Sequence, residues 1–173
     1  NQGKGVFLDL TSDEDVKRAF KEAAALSAGI LVEKYIKGRD FRVLVVGDKV
    51  SAVSERLPAM VTGDGVRTVR ELVDDVNRDP NRGESHEKPL TKIKLDSVAA
   101  AMLEKNGLSA DSVPDKGRVV KLRANGNLST GGTAVDCTDI IHPENAELAV
   151  MAAKAIGIDI AGIEFVTPDI SRS

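Results

Sequence analysis

Cysteine is almost absent from this chain, and its scarcity excludes a disulfide framework. Cys137 stands alone among 173 residues, so no intrachain bridge can form, and the pattern fits a reducing compartment. Histidine is nearly as scarce. His86 lies in a polar stretch and His142 beside a helix start, neither with Cys or His partners at zinc spacing. No apolar run approaches the roughly 18 residues of a membrane span, and no signal-peptide pattern opens the chain. Net charge is small, −3 from 24 Lys and Arg against 27 Asp and Glu, which offers no basic face to duplex nucleic acid. The signatures G-x-S-x-G, H-E-x-x-H and Walker A are missing. These absences predict a soluble protein of the cytoplasm with no transition-metal site. Cys137, after an apolar stretch, reads as a packed core thiol.

What is present suffices for a folded core: 42% hydrophobic and 29% charged residues. The length suggests one domain, or a compact domain with an appendage. Asn1-Gln2-Gly3-Lys4-Gly5 starts inside a glycine loop, and Ser171-Arg172-Ser173 follows a Pro168-Asp169 turn. The expectation is a segment of a longer polypeptide.

Strand and helix patterns alternate along the chain. Gly5 to Leu10 reads as a strand. Thr11 and Glu14 form a capping box for a helix over 13–27, with apolar spacing at Val16, Ala19, Phe20, Ala23 and Leu26 and a stop at Gly29. Strands are expected over 29–36, 40–46 and 49–56, the last two joined at Gly47-Asp48, as a three-stranded antiparallel meander. Thr68 and Glu71 cap a helix running to about Asn77. Asp79 to Pro89 (DPNRGESHEKP) has the composition of a mobile surface loop. A helix over 96–106 ends at Gly107, and 109–113 adds a turn. Arg118 to Leu122 is strand-like, Pro143 starts a helix reaching Gly157, and 160–166 is the last strand. The fold class is α+β, antiparallel sheets packed with helices, divided as 1–57, 58–116 and 117–173.

The stretch Lys121 to Asp136, KLRANGNLSTGGTAVD, concentrates chemistry. Arg123, the amides Asn125 and Asn127, the hydroxyls Ser129 and Thr130 and the pair Gly131-Gly132 suit a loop that wraps an anion, with glycine N–H groups exposed and a guanidinium aimed at oxygens. Asn125-Gly126 alone would read as a tight turn. In AGIEFV, Gly162 and Glu164 face opposite to Ala161, Ile163 and Phe165. Glu164 is therefore either a solvent-facing residue on a half-covered strand or a carboxylate that is paired, hydrogen-bonded or bound to a metal such as Mg²⁺. Gly3-Lys4-Gly5 could fold over phosphates or be an ordinary glycine turn. Glu33 and Asp40 could bracket a nucleotide or be surface charges.

Together these pieces resemble the ATP-grasp fold and, within it, the cyanophycin synthetase family. The resemblance spans nearly the whole chain. Its most specific stretches are Gly63 to Gly83 (GDGVRTVRELVDDVNRDPNRG), Leu90 to Asp96 (LTKIKLD), Asn127 to Asp136 (NLSTGGTAVD) and Asp159 to Ser171 (DIAGIEFVTPDIS). Val32 to Val50 matches a hinge that ATP-grasp ligases share more widely.

The resemblance implies a nucleotide site between two subdomains, with ATP and Mg²⁺ as cofactors. Gly3, Lys4 and Gly5 would belong to the flap over the phosphates. Glu33, Lys34, Tyr35 and Ile36 would hold adenine, and Asp40 the ribose. Arg123, Asn125 and Ser129 would be catalytic near the γ-phosphate, with Asn127, Gly131 and Gly132 on substrate and Glu164 on the metal. The implied partners are ATP, aspartate and a β-aspartyl-arginine polymer, with no nucleic acid or membrane, in a homo-oligomeric parent. The implied reaction activates the polymer's C-terminal carboxylate as an acyl phosphate for attack by the aspartate amine. A phosphate-binding lysine is expected ahead of Asn1, and a second acidic ligand with its asparagine beyond Ser173, so this chain alone is expected to be inactive. Nothing in it resembles the Mur-ligase-like domain that adds arginine in such enzymes. Phe41 and Gly126 depart from the His and Ala common in the family. The alternatives are a ligase of glutamate–cysteine peptides or D-amino acids, and a non-catalytic module that kept the fold.

Overall fold

The computed structural model describes residues 5–7, 10–84 and 87–173. Gly3, Lys4 and His86 lie outside the described residues. The chain divides into two compact units, Asn1–Lys37 and Gly38–Ser173.

In the first unit, α1 spans Asp13–Ala24. Ser12, not Thr11, is its N-cap, with Oγ accepting the Asp15 amide at 3.1 Å. The helix stops at Ala24, short of Ser27 and Gly29. Its apolar stripe is present but only Ala19 is buried, while Val16 and Phe20 are exposed. The strands expected over 5–10 and 29–36 are not formed among the described residues. A strand is stabilised by a hydrogen-bonded neighbour, and among the described residues none pairs with these segments.

The second unit is built on an antiparallel sheet ordered β7-β2-β1-β8. Its strands are β1 (Arg39–Val46), β2 (Lys49–Leu57), β7 (Thr133–Asp136) and β8 (Ile160–Thr167). Gly47, at φ 62°, turns β1 into β2 as the sequence predicts. The third neighbour expected from 29–36 is instead β8, which pairs Arg39 to Val46 with Thr167 back to Ile160. Alternation along β1 buries Phe41, Val43 and Val45. They pack with Val53, Cys137, Ala161, Ile170 and Ala149 and Ala153 of α4 (Pro143–Ile156). Pro143 opens α4 and Gly157, at φ 74°, closes it. Cys137 is a buried free thiol, as its apolar setting suggested.

A second core lies within the same unit. It joins β3 (Met60–Thr62), α2 (Val69–Val76), α3 (Ser97–Lys105) and β6 (Val119–Lys121) through Val61, Val69, Leu72, Val73, Ala99, Leu103, Val120 and Leu122. The Thr68–Glu71 capping box of α2 is complete on both sides. Asp96 caps α3 and Gly107, at φ 69°, follows its end. The turn expected over 109–113 is formed at 110–111.

The stretch 79–89 needs correction. Arg82 and Gly83 are buried and form β4, paired in parallel with β5 (Leu90–Thr91). Arg82 Nη1 donates to the carbonyls of Thr91 at 2.7 Å and Gly131 at 3.0 Å. A polar sequence is pinned here by one buried guanidinium, which composition does not reveal.

Candidate functional site

The face of the sheet opposite Phe41 carries the charge. A period of two puts Asp40 and Arg42 on that face together. Cross-strand register sets Arg42 opposite Ser54 on one side and Glu164 on the other, and Asp40 opposite Arg56. Arg42 Nη2 donates to Glu164 Oε1 at 2.5 Å. Arg56 Nη1 reaches the same oxygen at 3.1 Å, while its Nη2 donates to both Asp40 oxygens at 2.8 and 2.9 Å. Two acids and two guanidiniums thus form one continuous lattice, with Arg56 as the bridge. The Arg56 Nε is buried without a hydrogen-bond partner among the described residues.

Glu164 is neither buried nor solitary: its side chain is 53% exposed. Burial pushes its carboxyl up, but the Arg42 hydrogen bond and the charges of Arg56 and Arg42 outweigh that and hold it below the usual glutamate range. An ionised carboxylate on an open face is the kind of oxygen donor that Mg²⁺ takes, usually one or two together with phosphates and water. Among the described residues no group of three His, Cys, Asp or Glu could enclose a metal ion. The donor set on this face is a single carboxylate, and its Oε1 is already shared by two guanidiniums.

On the other face, Arg39 Nε donates to Glu55 Oε1 at 2.7 Å and its Nη2 to Oε2. The Arg39 guanidinium lies over the Phe41 ring, 5.3 Å from its centroid. That pair closes the end of the core and does not join the lattice.

The loop after β6 packs onto β2. Gly126 is buried so closely that a Cβ there would lie 2.7 Å from the Arg56 carbonyl oxygen. Gly132 would likewise meet the Leu57 oxygen at 2.7 Å. The loop is thereby set against the strand that carries Arg56. Two expectations about it need correction. The glycine N–H groups are not exposed: Gly131 N donates to Leu128 O and Gly132 N to Asn127 O. The Arg123 guanidinium is buried and aimed at protein oxygens, with Nη2 on Asp96 Oδ2 at 2.8 Å and Lys94 O at 3.3 Å and Nη1 on Leu122 O at 2.9 Å. The physical reason is shared: backbone groups and charges in a packed loop must find partners inside it. Asn125 and Ser129 are exposed, and Asn127 is half-buried with its side chain not used as a cap.

In the first unit, Glu33, Lys34, Tyr35 and Ile36 form an exposed irregular segment, and Gly5 adopts φ 76°. In the second unit the structure gathers Asp40, Glu164 and the 125–127 turn around β2. Sequence reasoning missed Arg42 and Arg56, which make that gathering, and Arg82 and Asp96, which hold the loop. Arg42 and Arg56 had a signal, the period-two spacing with Asp40 and Ser54. Arg82 also lines a cavity of about 390 Å³ with Arg67, Asp75, Gly131 and Thr133 against an apolar wall of the second core.

Comparison with known proteins places this geometry. No family model matches the chain. It is 54% identical over 172 residues to the cyanophycin synthetase of Nostoc sp., an alignment covering 99% of the chain and 19% of that protein. By sequence, the chain is similar to one segment of cyanophycin synthetases. It is also 40% identical over 166 residues to the glutathione biosynthesis bifunctional protein of Listeria monocytogenes, covering 96% of the chain and 22% of that protein. The crystal structure of a bifunctional glutathione synthetase from Pasteurella multocida matches with a TM-score of 0.72 at 38% identity, over 99% of this chain and 23% of that one. The α+β, ATP-grasp-like fold follows from this match and from the antiparallel sheet packed on α4. The chain spans about a fifth of the length of the cyanophycin synthetases it matches. Among the described residues no helix is long and apolar enough to cross a membrane.

Proposed function

We propose that this chain is the nucleotide-handling part of an ATP-dependent acid–amino-acid ligase of the cyanophycin synthetase type. The observation that carries the reading is the lattice of Asp40, Arg42, Arg56 and Glu164 on one open sheet face, with the Asn125–Asn127 turn packed against it at Arg56. In this reading Asp40 accepts from the ribose hydroxyls of the nucleotide. Glu164 is a Mg²⁺ ligand, and the bound ion would supply positive charge against the transferring phosphoryl group. Asn125, Asn127 and Ser129 present polar groups to the substrate. Arg123 fixes the shape of their loop from within, together with Gly131 and Gly132.

The substrates in this reading are ATP, a β-aspartyl-arginine polymer and aspartate. The polymer's terminal carboxylate takes the γ-phosphoryl group, and the aspartate amine displaces phosphate to form the amide. Fixed cations around the developing charge are the protein's main contribution to such a transfer. The 40% identity to a glutathione biosynthesis protein supports a second reading, the same machinery acting on a glutamate–cysteine peptide.

The test is ADP release by the Nostoc cyanophycin synthetase with its matching segment replaced by this chain. Release that requires both aspartate and a β-aspartyl-arginine primer, and is lost on Glu164→Ala, is the expected result. Release driven instead by a glutamate–cysteine peptide would move the substrate. No release with any acceptor, from a folded chimera, would refute the ligase reading.

A further inference from the structure

Arg82 is buried without a counter-charge. It is 5% exposed, and among the described residues its guanidinium bonds to backbone carbonyls and to no carboxylate. Arg56 and Arg123, the other deeply placed arginines, each meet an acid, at Asp40 and Asp96. Asp79 is the acid whose charge reaches Arg82, and it does so without a side-chain contact. Burial outweighs that charge and pushes the guanidinium below the ordinary arginine range. A charge held this way is unfavourable until something pairs with it.

Nη1 uses both of its hydrogens on the carbonyls of Thr91 and Gly131. The hydrogens of Nε and Nη2 have no acceptor among the described residues, yet neither nitrogen is sealed inside the protein. With so little of the residue exposed, they open onto the cavity of about 390 Å³ that Arg82 lines. That volume falls within the range of small-ligand pockets, roughly 300–1,000 Å³. One wall is apolar, made by Pro58, Met60, Val61, Leu72 and Val76. Arg67 and Asp75 also line the cavity, but they bind each other at 3.0 Å. Arg82 therefore supplies the uncompensated charge of the lining.

We propose that this cavity is a binding site for a small organic carboxylate with an apolar body. Its carboxylate would sit on Nε and Nη2 of Arg82, and its body on the wall of Met60 and Leu72. Those two nitrogens are parallel donors, the geometry that takes a carboxylate at two points. The anion would supply the missing counter-charge while the wall buries the body. An inorganic anion leaves the wall unused, and a neutral apolar molecule leaves the charge unpaired. Because Arg82 also holds the Gly131 carbonyl, occupancy is transmitted to the backbone of 131–133. Asp40, Arg42, Arg56 and Glu164 do not line this cavity, so the proposal stands apart from the ligase reading.

The experiment is titration of the isotope-labelled chain with pentanoate, followed by nuclear magnetic resonance. Saturable shifts are expected at the amides of Gly131, Gly132 and Thr133 and at Arg82 Nε–H. Pentanamide, which lacks the charge, and acetate, which lacks the body, should each bind weaker by about tenfold or more. Arg82→Met should abolish binding. It also removes two backbone grips, so Thr62→Glu is tested beside it, with circular dichroism to verify both folds. Thr62 is an exposed residue of the lining, and a carboxylate there leaves the Arg82 grips in place while opposing a bound anion. It should weaken pentanoate by about tenfold. No saturable shift, equal binding of pentanamide or acetate, or full binding by either folded variant overturns the proposal.

Discussion

Asp96→Ala tests whether Arg123 is a structural clamp within the loop. One oxygen of Asp96 accepts the amides of Val98 at 3.1 Å and Ala99 at 3.0 Å, which caps α3. The other accepts Arg123 Nη2 at 2.8 Å. The Arg123 side chain is 8% exposed and that of Asp96 is 47% exposed. Losing an N-cap acceptor costs about 1 kcal/mol. Losing a charged hydrogen bond to a buried group costs about 1.5–3 kcal/mol, and the exposure of the carboxylate argues for the lower end through solvent screening. Asp96→Ala should therefore destabilise by about 2.5 kcal/mol, and Asp96→Asn, which keeps a cap oxygen, by about 1.5 kcal/mol. Urea unfolding followed by circular dichroism measures both. In an Arg123→Met background, where the guanidinium is gone, Asp96→Ala should cost only the cap, about 1 kcal/mol. If Asp96→Ala costs no more than that cap in the parent too, Asp96 does not anchor Arg123 and the clamp as described is refuted.

Three further expectations follow from local geometry. Gly126→Ala puts a Cβ 2.7 Å from the Arg56 carbonyl oxygen, and backbone cannot yield as a side chain can. It should destabilise by about 1–3 kcal/mol and shift the amide resonances of 125–127, and full stability would refute the close packing. Thr68→Ala removes one half of a complete capping box and should cost about 1 kcal/mol in thermal or urea unfolding. Asp64 is held well below the usual aspartate range, first by the Arg67 amide, then by its guanidinium and the Val66 amide. Its folded-state value is depressed, so its contribution is complete above the ordinary aspartate range and is lost as pH falls toward the folded value. Asp64→Asn should flatten that acid limb of the stability profile, and an unchanged limb would refute the assignment.

How much of this was legible depended on how local the cause was. Capping chemistry at Thr68, Pro143 and Gly157 around α4, and the Gly47 turn each act over a few residues, and the sequence states them directly. The resemblance added expected roles for Asp40 and Glu164. It did not supply Arg42 and Arg56. Counting back from the turn, an unbroken hairpin would set Asp40 opposite Glu55, two like charges. A register shift between Leu44 and Val45 moves Asp40 opposite Arg56 instead. One extra residue in β2 thus creates the lattice.

The sequence by itself determined the Thr68 cap, the start and stop of α4, the hairpin turn, the inward face of β8 and the similarity to known proteins, because propensity, turn chemistry and alternation are short-range. Only the tertiary structure decided that residues 29–36 pair with no strand among the described residues, that β8 lies beside β1, and that Arg123 turns inward to Asp96 while Arg42 lies over Gly162. Those outcomes depend on which distant segments become neighbours. Partner choice is settled by the sum of core burial and charge pairing across the fold, which no window of sequence contains.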